Sequence, residues 1–294
     1  MNPSFRQIAE LFNVVDFEGD SELQGLKNQA SGKTAAESED LGKLRLSEGD
    51  YQNAIRHFKE AMSQRDSTDI DHLVDLAGAY DYGDLELQAF RQYRKALKTN
   101  QESPEPLLGL ADILRRSGRF RDSVAELEKA IKLEPGNPYY HIKLAEALRE
   151  MGEPTKALAA AQYAVVVKPE EPFYHYWIGD LLLQLKRYEE ALQSFRAAIE
   201  LSPGDDHLYL RAAVAFWRTD RKPEAIKAIR LASDLDPEKH LYAGMLEALL
   251  AANGENDLAD LESERADKMD RYDHDVLNRT LHEMGIVEYD PMEG

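Results

Sequence analysis

The chain has 294 residues, of which 55 are acidic and 36 are basic, and it contains no cysteine. The lack of cysteine excludes disulfides, thiolate metal sites and cysteine nucleophiles, and it suits the reducing cytoplasm. A net charge of −19 disfavours direct binding of nucleic acid or of anionic membranes, and favours basic partners or simple solubility. The chain opens without a signal-peptide pattern, and no apolar run approaches the roughly 18–20 residues that span a bilayer. We therefore expect a cytoplasmic protein that does not insert into a membrane.

The N-terminal segment, residues 1–34, has the pattern of an amphipathic arm on a flexible linker. Its apolar residues recur at helical spacing, so that one face of a short helix over residues 3–16 would be apolar. Residues 17–34 are rich in glycine, serine and polar residues, which is typical of a linker. Two interpretations remain open: a helix that covers the first repeat, or a docking arm that binds another surface or another copy of the chain. The four residues of this possible docking arm are Phe5, Ile8, Phe12 and Val15.

A 34-residue period runs through residues 35–270. Prolines recur at this interval in two series, one after each predicted pair of helices and one at the start of the next pair. A fixed period of this length is typical of stacked supersecondary units rather than of a single globular core. The two series are Pro135, Pro169, Pro203 and Pro237, and Pro104, Pro138 and Pro172.

Small residues recur at the same period in each predicted pair of helices, where the two backbones must approach closely. On the first helices they are Gly42, Ala77, Ala111, Ala145, Gly179 and Ala213. The larger side chains that fill the space between the helices are Phe58, Tyr93, Leu127, Phe195 and Ile229. Glycines mark turns between the two helices, where a left-handed residue ends a helix; they are Gly49, Gly118 and Gly152. The pattern therefore predicts pairs of antiparallel helices joined by short turns.

This order of small, large, small and proline residues resembles the tetratricopeptide repeat family, over about six repeats and one degenerate repeat. The resemblance implies an all-α fold, a right-handed superhelical solenoid of antiparallel helix pairs. An array of this kind needs a terminal helix with a polar outer side. Residues 271–294 are the predicted acidic capping helix and tail. The apolar face of this helix consists of Val276, Leu277, Leu281 and Met284.

The sequence contains no pattern that indicates catalysis, a metal site or a cofactor. No P-loop, Gly-x-Gly-x-x-Gly, Gly-x-Ser-x-Gly or His-Glu-x-x-His run is present. His141 and His175 lie 34 residues apart. Stacked first helices are separated by about 10 Å, which is too far for these two imidazoles to share a metal. We therefore interpret both histidines as packing residues, and we expect a protein that is not an enzyme and has no cofactor.

The concave side of such a solenoid is lined by the first helices, and it is the surface most suited to a partner. The helix phase predicts a groove that is acidic towards its N-terminal end and aromatic in its C-terminal half. The alternative is that its aromatic residues mainly pack against the neighbouring repeat. The predicted groove residues are Asp112, Arg115, Tyr139, Glu146, Arg149, Phe173, Tyr176, Asp180, Leu183, His207, Leu210 and Trp217.

These features indicate two possible functions. The first is a non-catalytic protein–protein scaffold or adaptor, whose groove binds a peptide or helix with apolar residues and some basic character. The second is a self-associating structural or assembly protein, a possible homo-oligomer that uses the N-terminal arm. Deletion of residues 1–17 distinguishes the two, because only self-association requires the arm.

Overall fold

The structure, a computed structural model, describes residues 34–64 and 69–287. Those residues form fifteen α-helices joined by short turns, and no β-strand occurs among them. The predicted all-α class is therefore confirmed. The chain divides between Met151 and Gly152 into two compact units, which we call the N-terminal unit and the C-terminal unit. The predicted docking arm, Phe5 to Val15, lies outside the described residues and stays a prediction.

The described part of the N-terminal unit contains seven helices. They are α1 (Ala35–Ser47), α2 (Tyr51–Gln64), α3 (Ile70–Tyr82), α4 (Glu86–Thr99), α5 (Pro104–Arg116), α6 (Phe120–Leu133) and α7 (Pro138–Glu150). The helices pack as consecutive pairs, α1 with α2, α3 with α4 and α5 with α6. Each second helix also packs against the first helix that follows it. This is the arrangement that the 34-residue period predicts.

The C-terminal unit contains eight helices in the part of the chain that the structure describes. They are α8 (Pro154–Val167), α9 (Pro172–Gln184), α10 (Tyr188–Leu201), α11 (Asp206–Arg218), α12 (Lys222–Leu235), α13 (Leu241–Ala252), α14 (Asn256–Ala266) and α15 (Arg271–Met284). The pairs are α9 with α10, α11 with α12 and α13 with α14. No helix in the described ranges combines the length and the apolar character that crossing a membrane requires.

The turns that follow the first helices use the left-handed backbone conformation. Gly49, Gly118 and Gly152 have φ angles of +75°, +76° and +82°, as their positions predict. In other turns the left-handed residue is not a glycine. These residues have φ angles between 57° and 59°, and they are Asp84, Lys186 and Asp220. The turn geometry is therefore shared by repeats that differ in the turn residue.

In two of the pairs, an aromatic ring of the second helix lies directly on a glycine of the first helix. A methyl group added at Gly42 would lie 2.7 Å from the Phe58 ring, and one added at Gly179 would lie 2.5 Å from the Phe195 ring. Both rings are buried. Because carbon atoms in contact are normally about 3.5–4.0 Å apart, this close approach requires glycine.

A side chain near the start of the first helix holds the preceding turn in three successive repeats. Nε2 of His141 lies 3.2 Å, and Nε2 of His175 lies 2.7 Å, from the carbonyl oxygen of the proline six residues earlier. The hydroxyl of Tyr209 donates a hydrogen bond to the equivalent proline carbonyl at 3.0 Å. Because a tyrosine fills the same role as the two histidines, this role is hydrogen bonding to the turn. Among the described residues, no group of three or more His, Asp or Glu side chains could hold a metal ion.

The last helix, α15, packs against α11 and α13, which are the first helices of two successive pairs. It begins after Asp270, whose side chain caps it, and it ends at Gly285, which is left-handed. Leu281 and Met284 are buried, and the other two residues of the predicted apolar face are half-buried. The predicted helix is thus present, and its apolar face is directed at the first helices of the C-terminal unit.

Candidate partner-binding surface

We call the side of the first helices that carries the predicted groove residues the first-helix face. In the N-terminal unit it carries a network of ion pairs between α5 and α7. Nζ of Lys143 lies 3.2 Å from Asp112 and 3.3 Å from Glu146. Nη1 of Arg115 lies 2.8 Å from Glu150 and 3.7 Å from Glu146. Burial opposes the charge of Lys143, but the carboxylates of Asp112 and Glu146 outweigh it, so the pKa of Lys143 is raised.

Two acidic residues nearer the start of this unit also have cation partners. Nζ of Lys43 lies 3.4 Å from Asp75, and the guanidinium of Arg116 donates a hydrogen bond to Asp81. Burial raises the pKa of both aspartates, and the neighbouring cations offset this only in part. Asp75 and Asp81, on the first helix of the second repeat, therefore already have cation partners within the chain.

Tyr139 is the most exposed of the predicted groove residues in the N-terminal unit. Its side chain is 44% exposed, and its backbone N–H donates a hydrogen bond of 3.1 Å to the side chain of Asn137. Nζ of Lys143 lies 5.7 Å from the centre of the Tyr139 ring, which is within the range of a cation–π contact. Arg149, near the end of the same helix, is half-buried. Among the predicted groove residues of this unit, Tyr139 thus offers the accessible ring.

In the C-terminal unit, Phe173, Tyr176, Trp177 and His207 form an aromatic cluster on α9 and α11. The Phe173 ring stacks on Tyr176 at a centroid distance of 6.4 Å and meets Trp177 edge-on at 6.3 Å. The Tyr176 ring lies 5.4 Å from the imidazole of His207, and its hydroxyl lies 3.2 Å from Nε2. Phe173 is 48% exposed, whereas Tyr176 is half-buried. The structure therefore brings three predicted groove residues together, Phe173, Tyr176 and His207, and the Phe173 ring is open to solvent.

The environment of His207 favours its neutral form. Partial burial among the rings lowers the pKa of His207, and the positive charge of Arg211, one helical turn further along α11, lowers it again. A neutral imidazole nitrogen can accept a hydrogen bond from the Tyr176 hydroxyl. The aromatic cluster thus presents an apolar and uncharged surface.

Arg211 connects α9, α11 and α15, and it is not among the predicted groove residues. Nη2 lies 2.6 Å from Asp180, and Nη1 lies 2.6 Å from Glu283. The side chains of Arg211 and Asp180 are only 12% and 10% exposed. Burial opposes the charge of Arg211, but the carboxylates of Asp180 and Glu283 outweigh it, so its pKa is raised. Asp180 is the signal in the sequence that could have identified Arg211. An acid on an apolar helix needs a cation as its partner, and α11 contains only two arginines.

The remaining predicted groove residues contribute little to an accessible surface. Leu183 is buried and Leu210 is only 2% exposed, so neither leucine offers surface to a partner, which corrects the prediction. Trp217 is half-buried, and Nζ of Lys222 lies 5.3 Å from the centre of its ring. Ten residues separate Trp217 from His207, which is about 15 Å along the helix. Trp217 therefore lies outside the aromatic cluster.

Comparison with protein families matches the repeats to two family models, both described as tetratricopeptide repeat. The first matches residues 87–138, 108–168 and 142–206, and the second matches residues 182–259. Together the matches span residues 87–259, which is more than half of the chain. No curated protein matches the sequence significantly.

Solved structures share the fold at low sequence identity. YrrB, described as a TPR protein with an unusual peptide-binding site, is 21% identical, with a TM-score of 0.51 over 61% of this chain and 92% of its own. TTC0263, a TPR protein of Thermus thermophilus, is 22% identical, with a TM-score of 0.52 over 62% of this chain and 99% of its own. PilF of Pseudomonas aeruginosa is 18% identical, with a TM-score of 0.60 over 72% of this chain and 94% of its own. At these identities the similarity establishes the fold alone.

Proposed function

Because the chain belongs to the tetratricopeptide repeat family, we propose that it is a non-catalytic protein-interaction scaffold or adaptor. Proteins of this family act in general as scaffolds that bind other proteins. The segment bound by this chain is a peptide or a helix of another protein, and it contacts the first-helix face. The observation that carries the proposal is the solvent-open aromatic cluster around Phe173.

The Phe173 ring is a suitable anchor because its neighbours hold it while about half of it stays open to solvent. An aromatic side chain buries about 150–250 Å², so a partner that covers the open half removes about 100 Å² from water. At about 25 cal/mol per Å², this single contact contributes about 2–3 kcal/mol. Tyr176 and His207 add polar atoms at the edge of the cluster, which can orient the bound segment.

One structural relative supports the class of ligand. YrrB is described as a TPR protein with a peptide-binding site. Since the similarity is one of fold alone, it supports peptide binding by an array of this kind and does not identify the residues. The residues that we propose, Phe173, Tyr176 and His207, follow from the accessible aromatic surface of the C-terminal unit.

The charge of the partner affects encounter more than affinity. The net charge of −19 attracts basic partners at long range. However, Asp75, Asp81 and Asp112 on the first-helix face are each paired with a lysine or an arginine of the chain. We therefore assign the affinity to apolar contact, and we assign the preference for basic character to the rate of association.

Selection from a random peptide library displayed on phage, with the full chain as bait, tests this proposal. The selected peptides are measured against the Phe173→Ala/His207→Ala variant and against Val166→Ser, a control that removes exposed apolar surface from a second helix. We expect apolar peptides whose affinity falls about tenfold or more in the double variant, since about 1.4 kcal/mol corresponds to tenfold. Far-UV circular dichroism verifies that both variants keep their helices. Peptides that bind both variants equally well would contradict the proposal.

A further inference from the structure

A helix of the chain itself lies on the first-helix face of the C-terminal unit. α15 contacts α11 and α13, and one of its contacts is at Gly244 of α13. A methyl group added at Gly244 would lie 3.1 Å from Cδ2 of Leu277. Gly244 follows Leu210 by 34 residues and Tyr176 by 68, so it has the groove-facing position of its repeat. α15 therefore covers part of the groove that a bound segment would use.

The contact of α15 combines an apolar stripe with one charge. Leu277, Leu281 and Met284 have the spacing i, i+4 and i+7, which is typical of a helix laid into a groove. Leu281 and Met284 are buried, and Leu277 is half-buried. Glu283, whose side chain is 45% exposed, lies at the edge and pairs with Arg211 at 2.6 Å. The surface thus fits an amphipathic helix that carries a carboxylate beside its apolar stripe.

The contact is small enough to be exchanged. α15 has 14 residues, and isolated helices shorter than about 12–15 residues are only marginally stable in water. Its apolar stripe contributes three side chains and its edge one ion pair, and Met269, which precedes the helix, also lies against Gly244. If Glu283 leaves, Arg211 keeps its second carboxylate, because Asp180 of α9 lies 2.6 Å from the guanidinium. Release of α15 therefore leaves no unpaired charge buried in the first-helix face.

We propose that the surface formed by α11 and α13 binds an amphipathic helix of a partner protein that carries one carboxylate beside its apolar stripe, and that α15 is its built-in occupant, which the partner displaces. This inference rests on the proposed function, which places a partner on the first-helix face, and it adds a second contact there. The basic character that speeds encounter belongs to the partner as a whole, whereas the carboxylate belongs to the helix bound here. The partner helix carries apolar residues at i, i+4 and i+7 and a carboxylate that reaches Arg211. Because α15 competes for the same surface, the apparent affinity for the partner is reduced in proportion to the fraction of molecules in which α15 is attached.

Hydrogen exchange on the full chain tests whether α15 can be released. In the Glu283→Lys variant, a second cation faces Arg211, and the control Asn278→Lys places a lysine on an exposed position of the same helix. A hydrogen bond between charged groups changes an equilibrium constant by about tenfold or more. We expect amide exchange in residues 271–284 to become about tenfold faster in Glu283→Lys and to change little in the control. Exchange in α9 and α10 should stay as in the wild type.

Binding of the helix in trans tests whether the uncovered surface is a site. The probe is a fluorescently labelled peptide of residues 271–287, measured by anisotropy against the full-length proteins. We expect it to bind the Glu283→Lys variant about tenfold or more tightly than the wild type, whose surface is occupied. The same peptide with Glu283→Lys should bind the variant about tenfold more weakly.

Two results would overturn the inference. If exchange in α15 does not respond to Glu283→Lys, the helix is a fixed part of the array. If the helix is released but the peptide fails to bind the variant, the uncovered surface is not a site. The phage selection separates this failure from that of the proposed function, because its peptides are scored on Phe173 and His207 and not on Arg211. Peptides that bind through Phe173 while the 271–287 peptide does not bind would leave the proposed function standing and remove this inference.

Discussion

The two units contain the same ion pair between successive first helices, but in different surroundings. Asp112 and Lys143 in the N-terminal unit, and Asp180 and Arg211 in the C-terminal unit, are both 31 residues apart and occupy equivalent repeat positions. The first pair is about one-fifth exposed and belongs to a network of neighbouring charges. The second pair is more deeply buried, and its arginine also binds Glu283 of α15. The same repeat position can therefore serve a solvated network or a buried junction, depending on what covers it.

The largest expected effect comes from removing the cation of each pair. Arg211→Ala leaves Asp180 buried without a counter-charge, which should lower the free energy of unfolding by about 3–5 kcal/mol. Lys143→Ala removes the equivalent cation from a partly exposed network and should cost about 1 kcal/mol or less. Urea denaturation followed by circular dichroism measures both values.

Tryptophan fluorescence assigns this loss to a unit, because both tryptophans, Trp177 and Trp217, belong to the C-terminal unit. The fluorescence transition should shift in Arg211→Ala much more than in Lys143→Ala. Equal losses in the two variants would mean that burial does not distinguish the two ion pairs, and the comparison would fail.

The next largest loss of stability is expected at a contact that both units contain, the packing of a phenylalanine ring on a glycine. Gly42→Ala in the N-terminal unit and Gly179→Ala in the C-terminal unit both place a methyl group too close to the atoms of a buried phenylalanine ring. Overpacking of this kind typically costs about 1–3 kcal/mol, so both variants should have lower urea midpoints. The matched control is Gly78→Ala, where nothing lies within 4 Å of the added methyl group. That variant should gain up to about 1 kcal/mol from helix propensity, and a loss at Gly78 would show that the packing assignment is wrong.

A smaller loss of stability is expected when the half-buried Asp206 loses its hydrogen bond from the fully buried Tyr242. The hydroxyl of Tyr242 donates a hydrogen bond to Asp206, and Nζ of Lys239 lies 3.1 Å from the same carboxylate. Burial opposes the charge of Asp206, but the hydrogen bonds from Tyr242 and Lys239 outweigh it, so the pKa of Asp206 is lowered. Tyr242→Phe should cost about 1–2 kcal/mol at pH 7.

The pH dependence of this variant follows from the direction of the shift. Because the pKa of Asp206 is lower in the folded state than its unfolded value of about 3.9, its contribution is complete above about pH 4 and is lost as the pH falls further. The difference between Tyr242→Phe and the wild type should therefore shrink in urea titrations below about pH 4. A constant difference would mean that the hydroxyl stabilises the fold by packing alone.

The smallest expected effect is a pH dependence at His207. Its repeat position is occupied by Tyr139 in the N-terminal unit and by Phe173 in the preceding repeat of its own unit. Because the pKa of His207 is lowered by folding, the unfolded chain binds the proton more tightly. Stability should be unaffected above the unfolded pKa of about 6.5 and should decrease as the pH falls from there towards the folded pKa.

The control for this titration is His207→Gln, which keeps a polar side chain that does not titrate. Urea midpoints from tryptophan fluorescence, measured between about pH 7 and pH 5, should decline less in this variant than in the wild type. An identical decline in both proteins would show that other groups cause the pH dependence.

The repeats could be predicted from local patterns because each contact between neighbouring helices is made by residues at a constant separation. The approach of Phe58 to Gly42 and that of Phe195 to Gly179 both follow from the repeat period. The aromatic cluster was also within reach, since Phe173, Tyr176 and His207 share one helix phase. The burial of individual groove residues could not be predicted. The helix phase places Leu210 on the groove side, and only the packed structure shows that it is covered.

The sequence by itself determined the helix pairs, their turns and the register in which they stack, because these depend on contacts that recur every 34 residues. It also determined the apolar face of the last helix, because helical periodicity is a local property. Only the tertiary structure decided where that face is placed. The pair between Arg211 and Glu283 joins residues that are 72 positions apart and obeys no repeat. The path of the chain after α14 brings α15 onto α11 and α13, and the contact with Glu283 makes Arg211 part of a buried junction.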